Sequence, residues 1–261
     1  MHRFYLPPSE CRGPTLTLTG REAHHALRVL RVRPGERVTV LDGAGSEFIC
    51  VVQSENDKQV VLSIVGRKSI LPLACQITLL QAIPKGKLIE SIIEKATELG
   101  VHRIIPILSE RVTMRLNYEA ALEKTGKWRT VAVEAVKQCG SPWLPQLDAP
   151  VTPKAYLARP EDFDLTLLGS LQMDARHPRD ILYEFKAKHG ALPQSVAVWI
   201  GPEGDFSPDE LRAIQGAGAQ PISLGKLVLR VETAAIYCLS FLNYELRHLM
   251  QPISCTSRLE D

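Results

Sequence analysis

The chain has 261 residues, with 31 Lys+Arg against 29 Asp+Glu and a formal net charge of +2. That balance excludes the strongly basic profile of a histone-like or tail-driven nucleic-acid binder, and 45% hydrophobic content excludes a disordered chain. No run approaches the ~18 apolar residues of a membrane helix and the first residues lack the apolar core of a signal peptide, so a cytoplasmic protein with no membrane partner is expected.

At roughly 150 residues per domain, the length suggests one large or two modest domains. The first ~70 residues read mostly as strands, by alternation and turn signals. A short helix is expected over Glu22–Leu30, ended by Pro34-Gly35. Strands follow at Val38–Leu41, Phe48–Val52 and Val60–Val65, with turns at Asp42–Gly45 and Glu55–Lys58. Short strands with close turns suggest a small β-barrel. After Leu71-Pro72 the pattern changes. Ile77–Leu80 is a continuous apolar run, as in a strand buried on both faces. A helix from Lys87 to Leu99 carries apolar residues at helical spacing and stops at Gly100, and Val101–Leu108 returns as a strand. A second helix is expected over Tyr118–Gln138. Gly140–Pro153 holds four prolines and reads as a loop. Alternation resumes with a strand at Leu165–Leu168, a helix at Arg179–Lys188 and a strand at Val196–Ile200. Ser207-Pro208-Asp209-Glu210 is a strong helix start, with Ser as N-cap, Pro at N1 and Glu at N3. A strand at Pro221–Leu224, a loop at Gly225–Arg230 and a helix at Glu232–Leu249 complete the series, followed by a loose tail over 251–261. The six cysteines, at 11, 50, 75, 139, 238 and 255, are widely spaced with no C-x-x-C, and most are expected to be small core hydrophobes.

Four segments invite a functional reading. Leu41–Gly45 has glycines, but a strand follows where a nucleotide-binding loop needs a helix, so a turn is expected. Gly201-Pro202-Glu203-Gly204 follows an apolar strand and precedes a capped helix. Glycines there let backbone approach a ligand, and an ordinary strand-to-helix turn is the plain alternative. Leu224–Ala234 carries apolar side chains where loops usually run polar. It either encloses an apolar or aromatic ligand or packs as a buried connection. Glu232 sits where a helix dipole favours a carboxylate, so capping competes with catalysis for it. The fourth segment, Arg21–Arg37, has five arginines against two acids. Residues 1–70 carry 10 Lys+Arg and 7 Asp+Glu, or +3, leaving 21 against 22, or −1, for the rest. Such a face either binds phosphates and bases or is simply solvated. His24 and His25 are neighbours that point apart on a helix, so no metal site is expected.

The segments WIGPEGDFSPDEL (199–211) and SLGKLVLRVETAAI (223–236) resemble the paired signature loops of the RsmE family, the ribosomal RNA small subunit methyltransferase E proteins of the SPOUT superfamily. The likeness extends to HRFYL (2–6), HHALRVLRVRPGE (24–36), PKGKLIESIIEKATELGV (84–101) and IPILSERV (105–112). It implies an α/β fold: an N-terminal PUA-like RNA-binding β-barrel over 1–72 and a SPOUT methyltransferase domain with a deep trefoil knot over 73–250. It also implies a homodimer, S-adenosylmethionine held in the knot, and methylation of N3 of one uridine in 16S ribosomal RNA of the small ribosomal subunit. On this chain the cofactor would lie among Leu168 and Gly169, then Ile200, Gly201, Pro202, Glu203 and Gly204, then Leu224, Gly225, Leu227, Val228 and Leu229. Uracil N3 is a weak acid that must lose a proton, so a cation and a carboxylate are needed beside it. Arg230 is expected as the stabilising group and Glu232 or Glu203 as base. Arg3, Arg28 and Arg31 are the expected RNA contacts. The chain departs from the common pattern at Lys137 (frequently Glu), Ser141 and Leu227 (frequently Arg) and Asp205 (frequently Gly), with Lys137 and Lys226 able to compensate for the missing arginines. The competing readings are a SPOUT enzyme with another RNA target, such as a ribose 2′-hydroxyl, and a non-catalytic RNA-binding or ribosome-assembly protein.

Overall fold

A computed structural model of the chain describes residues 1–112, 118–159, 161–172 and 174–247. The N-terminal part is a five-stranded sheet of β1 (His2–Tyr5), β2 (Thr15–Leu18), β3 (Arg37–Leu41), β4 (Ser46–Glu55) and β5 (Val60–Ser69), in the order β1-β3-β4-β5-β2. β1 runs parallel to β3 and the other pairs are antiparallel. The ladder does not close from β2 back to β1 among the described residues, so the expected barrel is an open, curled sheet. Its strands alternate, and the inward set, including Phe4, Leu16, Leu18, Val38, Val40, Val60 and Leu62, is fully buried. Helix α1 (Gly20–His24) continues as a π-helix over His25–Leu30 and covers one side with Ala23 and Ala26. The single helix expected over Glu22–Leu30 thus starts at Gly20, changes from α to π hydrogen bonding after His24, and ends where Arg31 turns left-handed (φ 56°). β1 and β2 were missed in the sequence, being only four residues each and flanked by prolines.

The C-terminal part is a wholly parallel six-stranded sheet. Its strands are β6 (Gln76–Ala82), β7 (Arg103–Ile107), β8 (Gln146–Leu147), β9 (Leu165–Gly169), β10 (Ser195–Ile200) and β11 (Gln220–Ile222), ordered β11-β9-β10-β6-β7-β8. Helices cover both faces, which is why the strands are apolar throughout. One face packs on α2 (Leu88–Glu98), α3 (Tyr118–Cys139), α5 (Pro178–His189) and α7 (Val231–Arg247) through Ile92, Trp128, Ile181 and Leu239. The other packs on α4 (Pro153–Leu157) and α6 (Pro208–Gly216) through Trp199, Phe206 and Ile214. The loop expected over Gly140–Pro153 contains β8 and joins the edge of the sheet. The end of the expected helix Glu232–Leu249 and the tail 251–261 lie outside the described residues. Cys50, Cys75 and Cys238 are buried as expected; burial holds Cys50 near pKa 11 and Cys75 and Cys238 near 12. Cys139 is exposed instead.

The two parts meet along α3 and the turn between β3 and β4. Arg3 donates to the carbonyls of Gln138 (2.9 Å) and Lys137 (3.3 Å) at the end of α3. Lys137, 8% exposed, pairs with Glu22 (2.8 Å) and Glu134 (2.9 Å), while the second Glu22 oxygen accepts from the Tyr5 N–H (3.1 Å). The Asp42–Gly45 turn docks on the 142–144 segment: Gly45 N–H donates to Pro142 O (2.9 Å) and Leu144 N–H to Gly43 O (3.0 Å). A Cβ at Gly45 would lie 2.5 Å from the Trp143 ring, and φ there is +96°, so only glycine fits.

Candidate active site at the carboxyl ends of three parallel strands

Three loops leave the carboxyl ends of β9, β10 and β11, where open α/β sheets place ligands. They enclose a cavity of about 640 Å³. The loop after β9 folds around the end of β11. Ser170 N–H donates to Ile222 O (3.0 Å), Arg176 N–H to Pro221 O (3.1 Å) and Ser223 N–H to Arg176 O (2.9 Å). The chain leaving β11 therefore passes between Ser170 and Arg176 of one loop.

Of the expected cofactor residues, Gly169, Ile200, Gly201, Pro202, Glu203, Leu224, Gly225, Leu227, Val228 and Leu229 line this cavity, and so do Arg230 and Glu232. Two do not. Leu168 is completely buried beside Trp199 and Phe206, because the residue preceding Gly169 on the strand points to the opposite face. Gly204 is on the outside of its turn, where its carbonyl accepts from Arg111. Not among the expected cofactor residues are Ser170, Gln172, Asp205 and Lys226, all within or next to segments already singled out, and Leu88 from α2, whose helical spacing marked it as core and not as a wall of this cavity. Leu227 and Val228 are each 78% exposed. That excludes a buried connection and leaves two large apolar side chains as a wall for a ligand.

The cavity carries three carboxylates, Glu203, Asp205 and Glu232, against Lys226 and Arg230. Glu203 Oε1 accepts from the backbone N–H of Lys85 (3.0 Å), tying the loop after β10 to the turn before α2. Glu232 lies in the first turn of α7, where the helix dipole favours an anion, and makes no hydrogen bond or ion pair among the described residues. Arg230 is exposed immediately before α7, its carbonyl accepting from Ala234 N–H (2.8 Å). An apolar wall, bare glycine backbone and a net negative lining suit a flat heteroaromatic ligand that carries positive charge.

The arginine segment separates in space. Arg21 pairs with Glu134 of α3 (3.1 Å). Arg28, Arg31 and Arg33 border a recess on the N-terminal part with Asn56 and Asp57. Arg28 faces Asp57 at 3.8 Å and Arg33 faces Glu55 at 3.1 Å. Arg31 is exposed and has no ion pair among the described residues. Arg3 is placed at the junction, exposed and without an ion pair among the described residues, with one guanidinium nitrogen donating to carbonyls at the end of α3; Lys137 is buried in ion pairs and presents no free cation to a polyanion. Among the described residues, no three His, Cys, Asp or Glu side chains cluster closely enough to hold a metal ion.

A family model for the RNA methyltransferase domain matches residues 71–243, and one for the RNA methyltransferase PUA domain matches residues 18–65. The chain is similar to the ribosomal RNA small subunit methyltransferase E of Bacillus subtilis, 30% identical over 94% of this chain and 97% of the relative. The protein of that name from Aquifex aeolicus is 32% identical, over 93% and 99%. A methyltransferase structure from Legionella pneumophila with the cofactor SAM bound superposes with a TM-score of 0.83 at 33% identity, covering 93% of this chain and 97% of that one. A ribosomal RNA small subunit methyltransferase E from Neisseria gonorrhoeae, bound to S-adenosyl methionine, gives a TM-score of 0.81 at 27% identity, over 94% and 98%.

Proposed function

The chain belongs to the ribosomal RNA small subunit methyltransferase E family, and from that premise we propose that it transfers a methyl group from S-adenosylmethionine to N3 of a uridine in 16S ribosomal RNA. The observation that carries this reading is the convergence of the loops after β9, β10 and β11 on one cavity with apolar walls and bare glycine backbone.

S-adenosylmethionine, when bound, supplies an electrophilic methyl group on a cationic sulfur. The protein's part is to place uracil N3 opposite it and to manage a proton and a developing negative charge. Arg230 beside the base stabilises charge spreading to the uracil oxygens. Glu203 is engaged with Lys85 N–H, whereas Glu232 is unpartnered among the described residues, so Glu232 is the better-placed group to take the N3 proton. N3 lies on the Watson–Crick edge, so a paired uridine must first be extruded, at a cost of a few kcal/mol. Arg28 and Arg31 supply compensating phosphate contacts from the N-terminal part.

Three further readings belong to the same proposal. A trefoil knot is supported by the passage of the chain between Ser170 and Arg176 after β11. A homodimer is supported by large apolar side chains left in solvent, Leu171 at the cavity at 64% and Tyr237 on α7 at 50% exposed. Light scattering then gives twice the chain mass of 29.0 kDa. Action in the cytoplasm follows from the proposed substrate, and no helix among the described residues is long and apolar enough to cross a membrane. The deciding experiment is methylation of purified small ribosomal subunits with labelled cofactor, followed by mass spectrometry of the nucleosides. 3-Methyluridine at one position is expected. A 2′-O-methylated nucleoside, or no incorporated label, overturns the proposal.

A further inference from the structure

Asp205 is one of two non-glycine residues with positive φ among the described residues, at 61°. Glycine adopts that conformation freely and an L side chain does so against steric resistance. The turn does not need the carboxylate, since it is closed by backbone, Asp205 N–H donating to Pro202 O at 2.9 Å. The side chain is nonetheless held: Oδ1 accepts from Phe206 N–H at 2.8 Å. That oxygen lies 3.0 Å from where a Cβ on Gly201 would stand, which places the carboxylate over bare backbone at the cavity wall. Its second oxygen has no partner among the described residues. The other charges around the cavity are otherwise accounted for: Glu203 holds Lys85 N–H, Glu232 is the proposed base, and Lys226 and Arg230 are exposed cations of opposite effect.

We propose that Asp205 is a charge-selecting residue of the cofactor cavity, favouring cationic S-adenosylmethionine over its neutral product S-adenosylhomocysteine. The inference rests on the methyltransferase reading above. In that reaction the uracil N3 proton leaves to the base and a bond forms from N3 to the methyl carbon. The sulfur–methyl bond breaks, its electron pair remains on sulfur, and the sulfur loses its positive charge. Attraction to a fixed carboxylate in the wall acts on the substrate cofactor and vanishes in the product, so the same residue that retains one releases the other. Lys226 and Arg230 are unchanged in every variant below and cannot produce a difference between them.

The test is calorimetric titration of the wild type, Asp205→Asn and Asp205→Gly with three ligands: S-adenosylmethionine, S-adenosylhomocysteine, and sinefungin, which carries an ammonium in place of the methylsulfonium. Glycine suits the backbone at this position, so the second variant folds even if the asparagine one is impaired. Both variants are expected to weaken S-adenosylmethionine and sinefungin by roughly 5- to 20-fold, as one partly solvated charge pair does, and to leave S-adenosylhomocysteine within about twofold. Equal weakening of all three ligands would make Asp205 a loop former only and overturn the proposal, as would no change in any. A wild type that binds none of the three overturns the methyltransferase reading, and this proposal with it.

Discussion

Glu203 and Glu232 both face the cavity, but their surroundings assign them different work. Glu203 Oε1 holds the N–H of Lys85 at 3.0 Å and so fixes one loop against another. Its loss is expected to loosen the cavity, raising the Kd for S-adenosylmethionine several-fold in Glu203→Ala, which removes the acceptor for the Lys85 N–H. Glu232→Gln is expected to leave that Kd unchanged and to lower the methyl-transfer rate at neutral pH by 10²-fold or more, the usual weight of a general base. Single-turnover rates across pH, with calorimetry on the same variants, separate the two; near-wild-type turnover in both removes the carboxylate base. On the N-terminal surface the same reasoning picks one arginine out of a cluster. Arg28 and Arg33 each have an acidic neighbour, whereas Arg31 is exposed and has none among the described residues. Arg31→Ala is therefore expected to reduce the salt slope of rRNA binding by about one phosphate contact, and Arg33→Ala by less. Fluorescence titrations over a range of salt concentrations check this, and an unchanged slope for Arg31→Ala counts against it. The sequence showed the cluster but not this division, because the partners Glu55 and Asp57 lie more than twenty residues away on a turn.

Helix α6 shows what local sequence encodes and where it falls silent. Ser207, Pro208 and Glu210 spelled its first turn, and the structure forms the reciprocal cap: Ser207 Oγ accepts from Glu210 N–H (3.3 Å) and Glu210 Oε2 from Ser207 N–H (3.0 Å). Capping rules operate within four residues, so the start was legible. They could not show that the same Glu210 reaches a hundred residues back. It accepts from Ser109 Oγ (2.8 Å) and Glu110 N–H (2.9 Å), fixing the turn that carries Arg111 to the carbonyl of Gly204. The two roles predict different costs. Ser207→Ala removes a cap and is expected to destabilise by about 1 kcal/mol. Glu210→Ala also leaves the buried Ser109 hydroxyl and the partly buried Glu110 N–H without an acceptor and is expected to cost about 2–4 kcal/mol. Urea denaturation of both variants gives the comparison, and equal costs would reduce Glu210 to a cap. The apolar strands and their helices were legible for a similar reason: periods of 2 and 3.6 are local. β8 and α4 were not, being too short to show a period and set among prolines that read as loop.

At the scale of the whole molecule, the composition shift after residue 70 and the +3 and −1 charge of the two parts were visible in the sequence, but the surface joining them was not. Its contacts connect residues about a hundred or more positions apart, and no periodicity reports on such pairings. Asp42–Gly45 read as an isolated hairpin turn and is the docking point for Trp143. Lys137 read as a cation free to meet RNA and is instead buried between Glu22 and Glu134. A proposed RNA-binding surface on one part and a methyl-transfer site on the other can act on one uridine only if their separation is fixed, so this junction bears on catalysis as well as stability. The Lys137–Glu22 pair is the part of it most sensitive to substitution. Removing Lys137 leaves the largely buried Glu22 carboxylate with only the Tyr5 N–H beside it, whereas removing Glu22 leaves Lys137 still paired with Glu134 at 2.9 Å. Lys137→Met is expected to destabilise by about 2–4 kcal/mol and Glu22→Gln by less. The double variant should cost less than their sum, because Lys137→Met alone leaves Glu22 largely buried without its cation and the second change removes that charge. Glu134 lies 2.9 Å from Lys137 and 3.1 Å from Arg21, so it holds Lys137 when Glu22 is replaced. A coupling free energy near 2 kcal/mol from urea denaturation would make the ion pair the principal polar tie between the parts. One below about 0.5 kcal/mol would assign that role to Trp143 and the glycine turn, with Gly45→Ala, whose Cβ strikes the indole, then the variant that separates the two parts.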